Sequence, residues 1–129
     1  MQLSATDAAG QIARTGDIIQ GIIGVRPGIA RAPYGSINQQ LATQLGIPFI
    51  GWGVDTQDWM VKDAAQICNI AVNGAHPGAI ILAHDIYPSS VEGFRCAIPQ
   101  LVQRGFVLVT VPQLLGFGPN TPPGVYSSR

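Results

Sequence analysis

The chain has 129 residues, a formal net charge of zero at pH 7 and only 11% charged residues. That length holds one domain with a core, short of the roughly 250 residues of a complete α/β barrel, and the balanced charge offers no basic stripe to grip a phosphate backbone, which excludes nucleic acid as a partner. Hydrophobic residues make up 47% and the mean hydropathy is above zero, a high figure that points to apolar surface meant to be covered by other polypeptide.

Residues 3–21 read as a helix with Leu3, Ile12, Ile18, Ile19 and Ile22 marking its apolar side, Ser4 or Thr6 as its cap and Gly24 as its stop. Gly10 and Gly16 weaken that helix. A short strand over 26–30 comes next, then a helix from a Ser36 or Asn38 cap through Leu45 that Gly46 stops. Residues 47–54 read as one strand, with Pro48 near its start where a missing donor is tolerated. Asp63 caps a helix to about Val72, Gly74 and Pro77-Gly78 turn the chain, and 79–83 is a continuous apolar run of the parallel-sheet kind. A helix over 91–103 and a strand over 106–109 follow. Strand and helix alternating over short connections predict parallel βα units. From Gly116 onward Gly, Pro and Ser dominate, so the domain is read as 1–115 and residues 116–129 as an extended, partly mobile tail.

No apolar run reaches the eighteen or so residues of a membrane span, and the N-terminus shows no signal-peptide pattern. Cys68 and Cys96 fall on separate predicted helices. They read equally as one bridge of a secreted protein or as two small buried residues.

Three polar clusters each follow a β-like stretch: Arg31-Ala32-Pro33-Tyr34-Gly35, Asp55-Thr56-Gln57-Asp58-Trp59 and Leu82-Ala83-His84-Asp85. The last places an imidazole and a carboxylate where a buried strand meets solvent, which is where α/β barrels keep their chemistry. The three strand ends are expected to converge on one site.

In this order and spacing, "RAPYGSIN", "VDTQDW" and "IILAHDI" resemble the third, fourth and fifth motifs of the polysaccharide deacetylase family, the NodB-homology domain of carbohydrate esterase family 4. The resemblance runs from about Leu3 to Leu115, with "GFVLVTVPQLL" similar to the family's last strand and helix. It implies parallel βα units forming part of a distorted (β/α) barrel, with the N-terminal strands absent. The family's Thr-Phe-Asp-Asp-Gly motif and its His-rich metal motif do not occur: His76 and His84 are the only histidines, and no Asp-Asp pair exists.

By that resemblance His84 is the general acid that protonates the leaving amine, and Asp58 is its carboxylate partner, so a contact between the two is expected. Arg31 matches the residue that pairs with the catalytic base, itself absent here, and is expected to be exposed or matched by another group. Tyr34 matches the donor of an oxyanion-binding backbone N–H. Trp59 and Leu82 match the apolar lining around the acetyl methyl, and both also suit an ordinary core. Asp55 reads as a turn or helix cap, Asp85 as a cap for the Pro88-Ser89-Ser90 turn, and His76 as a solvated loop residue. Arg14, Asp17, Arg95 and Arg104 read as solvation charges.

The implied function is part of a metal-dependent hydrolase that removes acetyl groups from an acetylated polysaccharide, foremost an N-acetylglucosamine polymer. The divalent metal, zinc foremost, belongs to the complete family domain, and this chain alone is expected to bind none and to be inactive without the missing motifs. Implied partners are the acetylated polysaccharide and an N-terminal fragment of the same domain, or self-association over the open barrel edge. The implied location is secreted or cell envelope. The alternative is a non-catalytic glycan-binding or structural remnant of the same fold.

Overall fold

The computed structural model describes residues 3–129, and they pack as two compact units: 3–51 with 118–126, and 52–117 with 127–129.

The first unit begins with α1 (Ala5–Ile23), where the Ser4 side chain accepts from Asp7 N and Gly24, at φ 75°, closes the C-terminus in the left-handed region. Gly16 is buried because the Arg26 guanidinium folds back over it, donating to Ala13 O and pairing with Asp17 at 2.5 Å. Asp17 is therefore more than a solvation charge, although so exposed a pair contributes little stability. Helix α2 (Gln39–Leu45) is capped by Asn38 and stopped by Gly46, as expected. Strand β1 (Pro48–Ile50) pairs in parallel with β4 (Gly124–Tyr126), in register Phe49 to Val125. Gln39 Oε1 accepts from Val125 N and so ties α2 to β4. The core of this unit is Ala42, Phe49 and Ile50.

In the second unit, β2 (Val54–Asp55) pairs in parallel with β3 (Ile81–Leu82). The short α3 (Asp58–Val61) leads into α4 (Ala64–Gly74), whose N-cap Asp63 accepts from Gln66 N. Helix α5 (Pro88–Gln103) lies against α4, and α6 (Val111–Leu115) carries a Thr110–Gln113 capping box. Gly93 makes the close packing of α5 on α4 possible, since a Cβ there would stand 2.7 Å from Ile67 Cγ2. Cys68 and Cys96 form a disulfide between these helices, beside buried Ala71 and Ala97. The Arg104 guanidinium donates to Val72 O and lies over the Phe106 ring, so it clamps the end of α5 rather than serving only as a solvation charge. With the two cysteines 28 positions apart in sequence, loop-closure entropy gives a cross-link worth about 3.5 kcal/mol. A Cys68→Ala, Cys96→Ala double variant is expected to lose about that much unfolding free energy in urea titrations.

Four strand expectations need correction. Residues 47–54 are not one strand, because Pro48–Ile50 pairs with β4 in one two-stranded sheet whereas Val54 belongs to β2, which pairs with β3 in another. Of residues 26–30 only Ala30 pairs, through an isolated bridge to Phe49, and of 79–83 only Ile81–Leu82 is strand. Residues 106–109 join no sheet among the described residues. Conversely the segment after Gly116 contains β4, which its Gly and Pro content hides. No helix among the described residues is long and apolar enough to cross a membrane.

Candidate active site

Chain geometry around α3 sets up the second unit's polar cluster. Gln57 and Lys62, which flank α3, both take left-handed backbone angles (φ 54° and 49°), an arrangement costing non-glycine residues about 1 kcal/mol or more each. Asp55 Oδ1 accepts from Gln57 N at 2.8 Å, the turn-capping role read from sequence. Thr56 is fully buried, its hydroxyl donating to Leu82 O at 2.7 Å, which fastens the end of β2 to the end of β3. The next residue but one, Asp58, is thereby turned inward.

Asp58 has no exposed surface, yet its carboxylate lacks nothing. His84 Nδ1–H donates to Oδ1 at 2.8 Å, His84 N–H to Oδ2 at 2.6 Å, Ser90 Oγ–H to Oδ2 at 2.6 Å, and Trp59 N–H to Oδ1 at 3.0 Å. Burial by itself would raise the Asp58 pKa, but the Ser90 hydroxyl, the two His84 donors and the imidazole charge outweigh it, and the net shift is downward from 3.8. The fold therefore favours the ionised carboxylate. Its contribution to stability is full above about pH 4 and is lost as pH falls below 3.8 through the depressed folded-state value. Unfolding midpoints are expected to hold steady from neutral pH down to about 4.5 and then drop. In Asp58→Asn that acid limb should flatten, and an unchanged limb would show that other carboxylates cause it.

The contact expected between Asp58 and His84 is thus present, with the imidazole side chain 40% exposed above a fully buried carboxylate. Because Asp58 takes Nδ1–H, the outer nitrogen Nε2 is the one left to exchange protons, and no described group hydrogen-bonds to it. Tyr87 meets the imidazole edge to face at 6.3 Å between ring centres. Leu82 is buried at 6% exposure, so it serves the core, while Trp59 is half exposed. Ser90, missed in the sequence, sits at the third position of α5, where its hydroxyl serves Asp58 while the Tyr87 N-cap makes no side-chain bond. A serine inside a helix's first turn was the only signal. Asp85 is exposed and caps nothing among the described residues, which corrects its expected role. His76 is an exposed loop residue, as read.

Arg31 and Tyr34 belong to the first unit. Arg31 is solvent-exposed, one of the two outcomes expected for it, and donates to Ile50 O at 3.2 Å and Gly51 O at 3.3 Å; partial loss of solvent lowers its pKa below the ordinary guanidinium value. Tyr34 occupies the middle of a 3-10 turn (Pro33–Gly35) at φ 57°, its side chain fully exposed and its backbone N–H bonded to no described group. A strained non-glycine residue offering an unused N–H is suited to receiving an anionic oxygen. Among the described residues, no three His, Cys, Asp or Glu side chains gather closely enough to hold a metal ion.

The arrangement in the second unit is that of a proton donor: an exposed ring nitrogen on an imidazole whose tautomer a buried anion fixes. No family model matches the chain. It is, however, 41% identical over 113 residues to the peptidoglycan-N-acetylmuramic acid deacetylase PdaC of Bacillus subtilis, covering 88% of this chain and 24% of that protein. Among solved structures, the T48 deacetylase with substrate matches 98% of this chain with a TM-score of 0.89 and 35% identity, and the chain covers 63% of it. A family 4 acetyl xylan esterase from Clostridium thermocellum, in complex with a cobalt ion, matches 89% of this chain at 30% identity and a TM-score of 0.81, with 58% of that chain covered. The chain thus spans about a quarter of the length of the curated relative and under two thirds of the matched structures.

Proposed function

The chain belongs to the polysaccharide deacetylase family, carbohydrate esterase family 4, matching the C-terminal part of its domain, and on that premise we propose that it carries the proton-donating part of a hydrolase acting on an acetylated polysaccharide. An N-acetylglucosamine polymer is the foremost substrate, and a secreted or envelope setting goes with it. The observation that supports this reading best is the Asp58–His84 pair, 2.8 Å apart and half open to solvent.

In the proposed step the tetrahedral intermediate collapses by breaking its C–N bond. The nitrogen departs as a neutral amine only if it gains a proton as the electron pair arrives, and His84 Nε2–H supplies that proton. Asp58 is a positioning residue: it holds Nδ1–H and stabilises the imidazolium that gives the proton up. Trp59 and Leu82 are proposed to line the acetyl methyl, a contact worth about 1 kcal/mol, enough to orient rather than to hold substrate. On the same motif match, the Tyr34 N–H is proposed as an oxyanion donor and Arg31 as the positioner of a base carboxylate.

The family is metal-dependent, but the described residues do not fit a metal centre, because a catalytic zinc site ordinarily takes three protein ligands and no such group is present among them. Zinc, the base and their holders are therefore assigned to the N-terminal part of such a domain, and self-association is the alternative only for covering the open barrel edge. The run 106–109 supports a need for cover: Val107 is 83% exposed, Leu108 and Val109 about half, and the backbone N–H groups of these three bond to no described partner.

Acetate release from an N-acetylated glycan, measured with zinc and with or without an N-terminal fragment from a family relative, tests the proposal. Turnover only on complementation supports it. Glycan binding without turnover in either case would favour the non-catalytic remnant instead.

A further inference from the structure

Ser90 differs from the other donors to the Asp58 carboxylate in that neither oxygen depends on it for a partner. Without it, Oδ1 would keep His84 Nδ1–H and Trp59 N–H, and Oδ2 would keep His84 N–H. Yet Ser90 Oγ–H reaches Oδ2 at 2.6 Å across 32 positions of sequence, from a residue only 2% exposed. Ser90 lies in the first turn of the 16-residue α5, whose positive end therefore approaches the same carboxylate. Tyr87, the residue just before that turn, sets its ring against the imidazole at 6.3 Å. One helix start thus touches both members of the pair. A hydroxyl that donates to a buried carboxylate takes up part of its charge, and that part is no longer available to a cation held by the same group.

We propose that Ser90 is a positioning residue that draws Asp58 charge away from His84, so that the imidazolium yields its proton to the leaving nitrogen more readily. This rests on the deacetylase reading of His84 and adds a control on the strength of the acid. An imidazole paired with an unshared carboxylate is charged over a wider pH range, but it is a weaker acid and transfers its proton to the departing amine more slowly. The Ser90 hydroxyl sets the balance between the two.

The test follows both histidine imidazoles by NMR as the whole chain is titrated. In Ser90→Ala the pH midpoint of the His84 signals is expected to lie about 0.5 unit above that of the unaltered chain. The signals of His76, an exposed loop residue, should not move. Ser90→Thr keeps a hydroxyl and should leave the His84 midpoint in place, and Ser90→Cys, whose thiol is a weak donor, should fall between. The other charged or titratable groups on the surrounding elements are Asp55 on β2, Lys62 and Asp63 between α3 and α4, Asp85 beyond β3, Tyr87, and Glu92 and Arg95 on α5. They are the same in every variant, so the comparison isolates the hydroxyl. In the complemented hydrolase, the limb on which kcat falls with rising pH should move up by the same amount in Ser90→Ala, with a plateau about twofold lower and KM unchanged. A His84 midpoint that is unmoved or lowered in Ser90→Ala, or that moves as far in Ser90→Thr, would overturn this inference alone. A midpoint that moves as expected while the complemented chain releases no acetate would overturn the deacetylase reading instead.

Discussion

Replacing His84 with Gln is expected to lower acetate release from an N-acetylated glycan by about 10²- to 10⁴-fold in the complemented hydrolase, with KM little changed. The expectation follows from what the side chain does. An amine is a poor leaving group until protonated, so the proton is needed at bond breaking and not at binding. Glutamine fills much of the same space and can still donate to Asp58, but it has no transferable proton on its outer side. The loss should therefore fall on kcat, measured by acetate release at saturating glycan, whereas a merely structural residue would lower activity in step with the folded fraction.

Asp58→Ala is expected to remove about 4 kcal/mol of stability, read as a shift in the urea midpoint and a melting temperature lower by more than about 10 °C. Four donors converge on this carboxylate, three of them on residues distant in sequence and one on the neighbouring backbone. Truncation leaves the Ser90 hydroxyl and the His84 N–H without a partner, at about 1–3 kcal/mol each where no water can enter. Asp58→Asn should cost less, because one acceptor oxygen survives, yet its amide group must then face a donor. Ser90→Ala, which removes one donor and leaves the other three in place, should be milder still, and a loss equal to that of Asp58→Ala would contradict the convergence described here.

How far the sequence discloses this structure depends on whether the determinant is local. The caps at Ser4, Asn38 and Asp63 and the stops at Gly24 and Gly46 are each settled within a few residues by side-chain acceptors or by left-handed glycines, and all are readable. The strands are only two or three residues long, and whether such a segment pairs is decided by a partner far along the chain. That is why 106–109, with strong β-forming residues, stands unpaired among the described residues, while Gly124–Tyr126, set among glycines, prolines and serines, forms a ladder. In the site, the family resemblance of the motifs anticipated the Asp58–His84 contact. Thr56 and Ser90 were not anticipated, because a buried hydroxyl gives no pattern until the fold supplies the acceptor.

The proton-donor role of His84 is tested most directly by comparing two leaving groups in the complemented hydrolase, an acetylated amine in a glycan and the phenolate of 4-nitrophenyl acetate. A phenolate leaves without help from an acid. If His84 donates the proton, His84→Gln loses orders of magnitude on the glycan and little on the phenyl ester. Equal losses on both would contradict it.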